Sequence, residues 1–297
     1  MTISHLIQLI SLAAIWGSSF MFMRVAAPEV GPVALIFFRA AIGFITLLPF
    51  LFIYKQQSQV IKHWKSIAVV GLTNTALPFV LFAFATLSIS AGLTSVLNAT
   101  APIFTALVAF VWLKEKLGRS KVIGLLIGFS GVLFLFISKG NLALDAAAIA
   151  IIAALVATLN YGYAACYTKQ HLSGVSSLAI AAGSQLFASI MLLPFLGFNL
   201  PVHEISNTAI YSTITLGVVC TALAYIFYFN LLANLGPAKA ITVTYLIPVF
   251  GIFWGMVFLH EQTNASMLIG ATLILAGVSL TTGLIKTRLL TRLFTRS

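Results

Sequence analysis

The feature of this sequence that most constrains its fold is a duplicated stretch within an apolar chain. Seven identities recur at a spacing of 146 without a gap: Pro102 and Pro248, Phe104 and Phe250, Val111 and Val257, Leu113 and Leu259, Glu115 and Glu261, Gly124 and Gly270, Gly131 and Gly277. Proline, glutamate and glycine are scarce in this background, so their coincidence is informative. A repeat of this kind predicts a fold built from two related units.

The duplication extends to the earlier part of each copy at a spacing of 145. Gly17 matches Gly162 there, and the segment LLPFL at 47–51 recurs at 192–196. We therefore predict a first repeat over 1–139 and a second repeat over 140–285. The remaining residues, 286–297, are predicted to form a basic amphipathic tail on the cytoplasmic face of the membrane, where anionic lipid attracts arginine and lysine.

The composition identifies the surroundings of these repeats. Hydrophobic residues make up 61% of the 297 residues and charged residues 7%, whereas soluble domains carry about 25% charged residues. Apolar runs of roughly 20 residues, enough to cross a bilayer core of about 30 Å, recur along the chain. The sequence predicts an all-α membrane protein with ten transmembrane helices. The predicted spans are 5–26, 33–54, 66–86, 91–113, 120–138, 146–167, 175–197, 208–231, 237–259 and 265–285.

Five spans per repeat make the second copy enter the membrane from the opposite side, as an inverted repeat. The distribution of charge supports this topology. With a cytoplasmic N-terminus, thirteen lysines and arginines fall on the inner side and two, Arg24 and Lys139, on the outer side. Such an excess on one side indicates the cytoplasmic face. We expect a multi-pass protein of the cell (inner) membrane with both termini in the cytoplasm.

Several classes of function are disfavoured by the sequence. The net charge of +11 resides in short loops between spans, which is typical of membrane orientation rather than of nucleic-acid binding. Cys166 and Cys220 lie inside spans without a CxxC spacing, so neither a disulfide nor a metal site is expected. Nucleotide-binding and hydrolase motifs are missing, and no carboxylate falls in mid-span. We therefore expect neither an enzyme nor a bound cofactor.

Prolines mark candidate binding positions. A proline inside a helix frees the carbonyl four residues earlier. Here the freed carbonyls belong to polar residues: Asn74 before Pro78, Asn98 before Pro102 and Thr244 before Pro248. Interrupted helices at matching positions of two repeats are typical of carrier binding sites. The alternative is a set of kinked helices whose polar groups are satisfied by neighbouring helices.

Aromatic and amide residues at matching depth extend the candidate site, because aromatic walls with a few amides suit a small polar or amphipathic solute. The predicted substrate-binding residues are Trp16, Asn74, Asn98, Asn160, Tyr163 and Tyr245. The alternative for the aromatic residues is an interfacial belt, which attracts tryptophan and tyrosine.

Three charged residues need separate interpretation. Arg39 lies well inside a span, at a cost of about 2.5–3.5 kcal/mol on insertion scales, so it requires carbonyls, water or an anionic solute. A structural role for Arg39 is favoured, and contact with substrate is left open. Glu115 and Glu261 are expected to cap neighbouring helix starts or to pair with basic residues rather than to bind substrate.

These motifs resemble the EamA family of the drug/metabolite transporter superfamily. The resemblance rests on Ala101-Pro102, Leu113-Lys114-Glu115-Lys116, Gly124 and Gly131 with their second copy, and on Trp16-Gly17 and Phe38-Arg39-Ala40. It implies a ten-helix inner-membrane carrier in which spans one to four and six to nine surround a cavity, with spans five and ten outside it. Many members export amino acids or other small metabolites.

The sequence thus favours a secondary transporter that exports an amino acid or a related metabolite by alternating access. Multidrug efflux of lipophilic cations is the second hypothesis, although such cargo usually needs a buried carboxylate. A non-transporting membrane sensor or scaffold is the third hypothesis. The expected partners are a small-molecule substrate and the lipid bilayer, and a homodimer is left open.

Overall fold

The computed structural model describes residues 3–138, 144–198, 204–240 and 242–283, and within these ranges the secondary structure is helical. Ten helices match the ten predicted spans. Their bounds are α1 Ile3–Val30, α2 Pro32–Ile53, α3 Trp64–Ala85, α4 Ala91–Val111, α5 Arg119–Ile137, α6 Ala146–His171, α7 Ser177–Gly197, α8 Asn207–Leu235, α9 Val243–Leu259 and α10 Ala265–Thr281. Lys139 and the predicted tail over 286–297 lie outside the described residues.

The lengths and compositions of these helices suit a bilayer. The helices α1 to α8 are each long and apolar enough to cross a membrane, and α9 and α10 are shorter apolar helices of 17 residues each. Short helices at Gln57–Lys62 and Pro237–Ala240 lie between α2 and α3 and before α9. The prediction of an all-α, ten-helix membrane protein is confirmed.

Side-chain caps determine where four of the helices begin. Each cap accepts a hydrogen bond from the backbone N–H three residues later, which satisfies one of the free donors at a helix start. The caps are Ser90 before α4, Asp145 before α6, Ser206 before α8 and Asn264 before α10. All four lie at the ends that the charge distribution assigns to the outer face.

The packing of the helices follows the sequence repeat. The helix α1 packs against α8 and α9 as α6 packs against α3 and α4, and α2 contacts α8 as α7 contacts α3. The pairs α2–α7, α4–α9 and α5–α10 join corresponding helices of the two repeats. If each helix in these pairs is replaced by its counterpart five helices away in the chain, the same set of contacting pairs results. This is the packing expected of two related halves.

Two glycines at corresponding positions allow the cavity helices to approach closely. A Cβ atom at Gly17 would lie 2.9 Å from the backbone nitrogen of Gly251 in α9, and one at Gly162 would lie 2.8 Å from the backbone nitrogen of Thr105 in α4. Neighbouring backbone cannot yield as a flexible side chain can. Small residues at such positions let membrane helices pack backbone to backbone, so these glycines bring α1 to α9 and α6 to α4.

Both halves contain a π-helical turn that was not predicted from the sequence. The turns are Gly71–Ala76 in α3 and Val218–Leu223 in α8. They contain Thr75 and Thr221, which occupy corresponding positions of the repeats. Turns of this type widen the helix locally and are frequent at functional sites. Here Thr221 donates to the carbonyl of Leu216, five residues earlier, at 2.8 Å.

The prolines act differently in the two halves. Ala99 and Thr100 form a break in α4, and Pro102 is the second residue of the helical part after it. Pro78 is likewise the second residue of the α-helical part of α3 that follows the π-helical turn. Pro248 instead lies within the continuous helix α9. Among the described residues the helix is therefore interrupted next to Pro102, as predicted, but not at the corresponding Pro248. A membrane helix tolerates one missing backbone hydrogen bond where its flanking turns remain packed against other helices.

Candidate functional site

A cavity of about 880 Å³ lies between the two halves of the helical bundle. Its wall combines polar, aromatic and small side chains from α1, α2, α3, α4, α6, α8 and α9. The helices α5 and α10, which the family resemblance placed outside the cavity, add Lys121 and Thr281 to its lining. Polar and aromatic residues of the wall include Trp16, Arg39, Asn74, Asn98, Tyr161, Thr221, Tyr225, Tyr228 and Thr244. Binding sites for small solutes typically have volumes of about 300–1,000 Å³ and mix apolar walls with a few polar groups.

The three polar residues marked by the proline argument come together in this wall. Asn74, Asn98 and Thr244 line the cavity, from α3, α4 and α9 respectively. Neither Asn74 nor Asn98 forms a side-chain hydrogen bond with another of the residues that the structure describes. Their amide groups are therefore available to a solute or to water.

The six residues predicted to bind substrate divide equally. Trp16, Asn74 and Asn98 line the cavity, whereas Asn160, Tyr163 and Tyr245 are not among its described lining residues. Successive residues of an α-helix point about 100° apart, so a residue one or two places away faces a different neighbour. Tyr161 lines the cavity where Asn160 and Tyr163 were predicted to do so, and Thr244 lines it where Tyr245 was predicted.

Each of the other three candidates has a partner away from the cavity. The Asn160 amide donates to the carbonyl of Val156 in its own helix at 2.8 Å. The Tyr163 ring stacks on Trp112, with ring centroids 4.9 Å apart. The Tyr245 hydroxyl donates to the carbonyl of Val278 in α10 at 3.2 Å.

Arg39 lies in the cavity wall and is 4% exposed. Its Nε donates to the Thr221 hydroxyl at 3.0 Å, which connects α2 to the π-helical turn of α8. Its guanidinium carbon lies 3.9 Å from the centre of the Phe79 ring, a cation–π arrangement. These two contacts hold the plane of the guanidinium in the cavity wall.

Apolar side chains close the cavity at one end. Phe20, Met23 and Phe82 line it there, and the rings of Phe20 and Phe82 meet edge to face with centroids 5.6 Å apart. All three side chains are buried. This layer separates the polar wall from the end that the charge distribution assigns to the outer face.

An ionic cluster lies beyond the apolar layer and joins the two halves. The Glu261 carboxylate, just after α9, accepts hydrogen bonds from the backbone nitrogens of Ala91 at 2.7 Å and Gly92 at 3.1 Å. The same carboxylate pairs with Arg24 of α1 at 3.3 Å. Arg24 also donates to the carbonyls of Thr86 and Ile89, which follow α3. Glu261 thus caps the start of α4 and pairs with a basic residue, as the sequence predicted.

The opposite end of the cavity is open and carries the matching pair from the repeat. Lys169 corresponds to Arg24 and Glu115 to Glu261, and they pair at 2.7 Å at the mouth, where Lys121 also lies. Their side chains are 70% and 38% exposed, against 10% for Glu261. The hydrogen bond from Lys169 holds the pKa of Glu115 below its usual value. The mouth lies at the end assigned to the cytoplasm.

The sequence analysis did not identify Arg24 and Glu261 as the residues that close one end of the cavity. Arg24 and Glu261 are distant in the chain, and only the packing of α1 against α9 brings them together. The sole signal available was their correspondence with Lys169 and Glu115 in the other repeat.

These features define a polytopic helical membrane protein whose two related halves enclose a solute-sized cavity that is open at one end. The chain belongs to the EamA-like transporter family, whose model matches it twice, over residues 3–137 and 148–283. The family assignment made from the sequence motifs is confirmed.

Curated relatives are named as transporters. The chain is 28% identical over 281 residues to the "Uncharacterized transporter YoaV" of Bacillus subtilis, covering 93% of this chain and 96% of the relative. It is 29% identical over 217 residues to the "Probable terminal-alkyne amino-acid exporter" of Streptantibioticus cattleyicolor, covering 72% and 71%. A solved crystal structure shares the fold with a TM-score of 0.67 at 16% identity, covering 93% of this chain and 96% of that one.

Proposed function

We propose that this protein is a secondary transporter that exports an amino acid or a related small metabolite by alternating access. It is a multi-pass membrane protein of a transporter family. The observation that carries the proposal is a solute-sized cavity, lined by free amides, that is open at one end and closed at the other by two layers of side chains. A cavity of that kind is one state of an alternating-access cycle.

The direction of opening follows from the predicted topology. We propose that residues 1–139 and 140–285 form inverted repeats and that the membrane is the cell membrane, with both termini cytoplasmic. The mouth near Lys121 and Lys169 then faces the cytoplasm, where an exporter takes up its substrate. The relative named as a probable amino-acid exporter supports an amino-acid-like substrate.

Efflux of lipophilic cations is the competing function. Hydrophobic cations generally require a carboxylate in the binding cavity. Of the described lining residues Glu115 is acidic, but it lies at the mouth and is paired with Lys169. The deep wall carries the positive charge of Arg39 instead, which opposes a cationic cargo. This arrangement favours an amino-acid-like solute.

Transport by the purified protein tests the proposal. Proteoliposomes would be loaded with the twenty L-amino acids, and efflux would be followed by mass spectrometry of the external medium. We expect at least one amino acid to leave faster than from protein-free liposomes. Efflux of a lipophilic cation such as ethidium without amino-acid efflux would favour the competing function. No flux of either kind would favour the sensor or scaffold hypothesis.

Asn98→Ala is expected to reduce the rate of this efflux about two- to tenfold, and by more than tenfold if Asn98 bonds a charged group of the solute, while leaving folding and insertion intact. The Asn98 amide lines the cavity and bonds no other described side chain or backbone group, so its loss removes a contact to the solute rather than one within the protein. One lost hydrogen bond to a solute is worth about 0.5–1.5 kcal/mol, and up to 3 kcal/mol if the solute group is charged.

The matched control for this variant is Asn160→Ala. Asn160 bonds its own helix and is not among the described cavity residues, so its efflux should equal that of the wild type. Normal efflux by Asn98→Ala would remove Asn98 from the binding site. Size-exclusion chromatography checks that both variants fold.

The repeat predicts how the open end would close. Glu115 corresponds to Glu261, and the helix Pro237–Ala240 corresponds to the start of α4 in the other repeat. In a state that is closed at the cytoplasmic end, Glu115 would therefore cap the helix Pro237–Ala240. Ala91 and Gly92 each donate an N–H to Glu261, and their counterparts are Pro237 and Ala238. Proline has no N–H, so the inner closure has one donor fewer than the outer closure.

Pro237→Ala is therefore expected to favour closure of the cytoplasmic end. One further hydrogen bond to a carboxylate contributes about 1.5–3 kcal/mol, so a cysteine at Ala109 in the cavity should react roughly tenfold more slowly in inside-out vesicles. The measurement requires Cys166→Ala and Cys220→Ala, which remove the native thiols. Pro194→Ala, at an exposed turn of α7, serves as the control, and an unchanged rate in Pro237→Ala would contradict the symmetric closure.

A further inference from the structure

No acidic side chain among the described residues neutralises the charge of Arg39. A guanidinium has five N–H donors. One of them bonds the Thr221 hydroxyl, and Nη1 makes only a long contact of 3.9 Å with the sulfur of Met23. The acidic residues of the chain lie at helix ends or in loops: Glu29, Glu115, Asp145, Glu204 and Glu261. A buried charge without a partner is costly, so an anion in the cavity would be bound strongly.

We infer that Arg39 binds the carboxylate group of the transported solute, an inference that rests on the proposed function. Arginine binds a planar carboxylate through two parallel N–H···O bonds. Thr221 occupies Nε and the Phe79 ring covers one face of the guanidinium. Among the described residues the outer nitrogens have no closer partner than the Met23 sulfur, and Arg39 lines the cavity, so these donors can serve a ligand bound there. One deep cation matches a monoanionic carboxylate better than a doubly charged phosphate.

The remainder of the cavity fits the other parts of an amino acid. Asn74 and Asn98 offer amide oxygens to an ammonium group, and the rings of Trp16 and Tyr161 offer apolar surface to a side chain. The volume of about 880 Å³ leaves room for large or apolar side chains. We therefore expect the cavity to select the carboxylate strictly and the side chain loosely.

The carboxylate site occurs in one half of the protein. The position that corresponds to Arg39 in the second repeat is Ser184, which is 1% exposed and bonds the carbonyl of Ala181 in its own helix. The repeat therefore supplies two similar walls but one cationic group. This asymmetry predicts one carboxylate per transport cycle rather than two.

Binding of paired probes tests the inference. The purified protein would be mixed with each of the twenty L-amino acids and with the corresponding carboxamide, and thermal stabilisation would be measured by intrinsic fluorescence. We expect at least one amino acid to stabilise the protein with an affinity at least tenfold above that of its carboxamide, and inorganic phosphate to have no effect. Equal stabilisation by acid and carboxamide, or stabilisation by none of the amino acids, would overturn the inference.

Variants distinguish direct contact between Arg39 and the carboxylate from a general effect of positive charge in the cavity. Arg39→Gln should remove the preference for the acid over the carboxamide, and Arg39→Lys should retain part of it. Lys121→Gln removes the same charge from the mouth of the same cavity and should leave the preference unchanged. A preference that persists in Arg39→Gln overturns the inference, and the wild-type comparison remains decisive if that variant does not fold.

The failure of this inference is distinguishable from failure of the proposed function. Flux of amino acids and carboxamides at equal rates from proteoliposomes would refute carboxylate recognition by Arg39 while supporting transport. Binding that prefers the carboxylate and depends on Arg39, without flux of any probe, would refute transport and support the site.

Discussion

Glu261→Gln is expected to open the cavity to the outer face. The Glu261 carboxylate accepts two backbone hydrogen bonds at the start of α4 and pairs with Arg24. Hydrogen bonds to a charged group contribute about 1.5–3 kcal/mol each, and a neutral amide oxygen replaces them poorly. With a tenfold change in equilibrium for every 1.4 kcal/mol or so, the closed state should lose roughly ten- to a hundredfold in relative population.

Access to the apolar layer measures this change. A cysteine at Met23, in a protein with Cys166→Ala and Cys220→Ala, would be treated with a membrane-impermeant thiol reagent on intact cells. Met23 is 2% exposed, so labelling of the closed state should be slow, and Glu261→Gln should accelerate it at least tenfold.

The repeat provides a matched control for this measurement. Glu115→Gln removes the corresponding carboxylate at the open end and should not accelerate labelling of Met23→Cys from outside. Equal labelling rates with and without the Glu261→Gln substitution would show that the carboxylate does not hold the outer end closed. Acceleration by Glu115→Gln as well would indicate general destabilisation instead.

Gly277→Ala is expected to cause the largest loss of stability among single methyl additions in the described part of the α5–α10 pair. A Cβ atom at Gly277 would lie 2.5 Å from the backbone nitrogen of Gly128 and 2.6 Å from the carbonyl oxygen of Gly124. These atoms belong to the helix backbone and can move only if α5 moves. Overpacking of this kind costs about 1–3 kcal/mol.

The thermal midpoint of the purified protein in detergent tests this expectation. Gly197→Ala is the control, because no atom lies within 4 Å of a Cβ placed there, and its midpoint should equal that of the wild type. If Gly277→Ala melts at the same temperature as Gly197→Ala, then the close approach of α5 and α10 does not contribute to stability.

The site was partly predictable from the sequence. The proline positions indicate which backbone carbonyls lose their helical hydrogen bond. The three polar residues identified in that way, Asn74, Asn98 and Thr244, all line the cavity. Depth in the membrane was a weaker guide. Asn160 and Tyr163 have a suitable depth but bond or stack elsewhere, at Val156 and Trp112 respectively.

Depth in the membrane was a weak guide because the helices are hydrophobic on every side. In a soluble protein an apolar stripe tells which face of a helix is buried. Here lipid and protein interior are both apolar, so the helices are hydrophobic on every side, and no such stripe is available. The rotation of α6, which turns Tyr161 toward the cavity and Tyr163 toward Trp112, could therefore be read only from the packed structure.

The sequence by itself determined the ten helices, their division into two related sets and the distribution of charge between the loops, since each depends on residues counted along the chain. The tertiary structure alone decided that Arg39 meets Thr221 and that Glu261 meets the start of α4. These contacts join residues separated by 182 and 170 positions. Such pairs depend on how the helices rotate and pack against one another, which local sequence patterns do not specify.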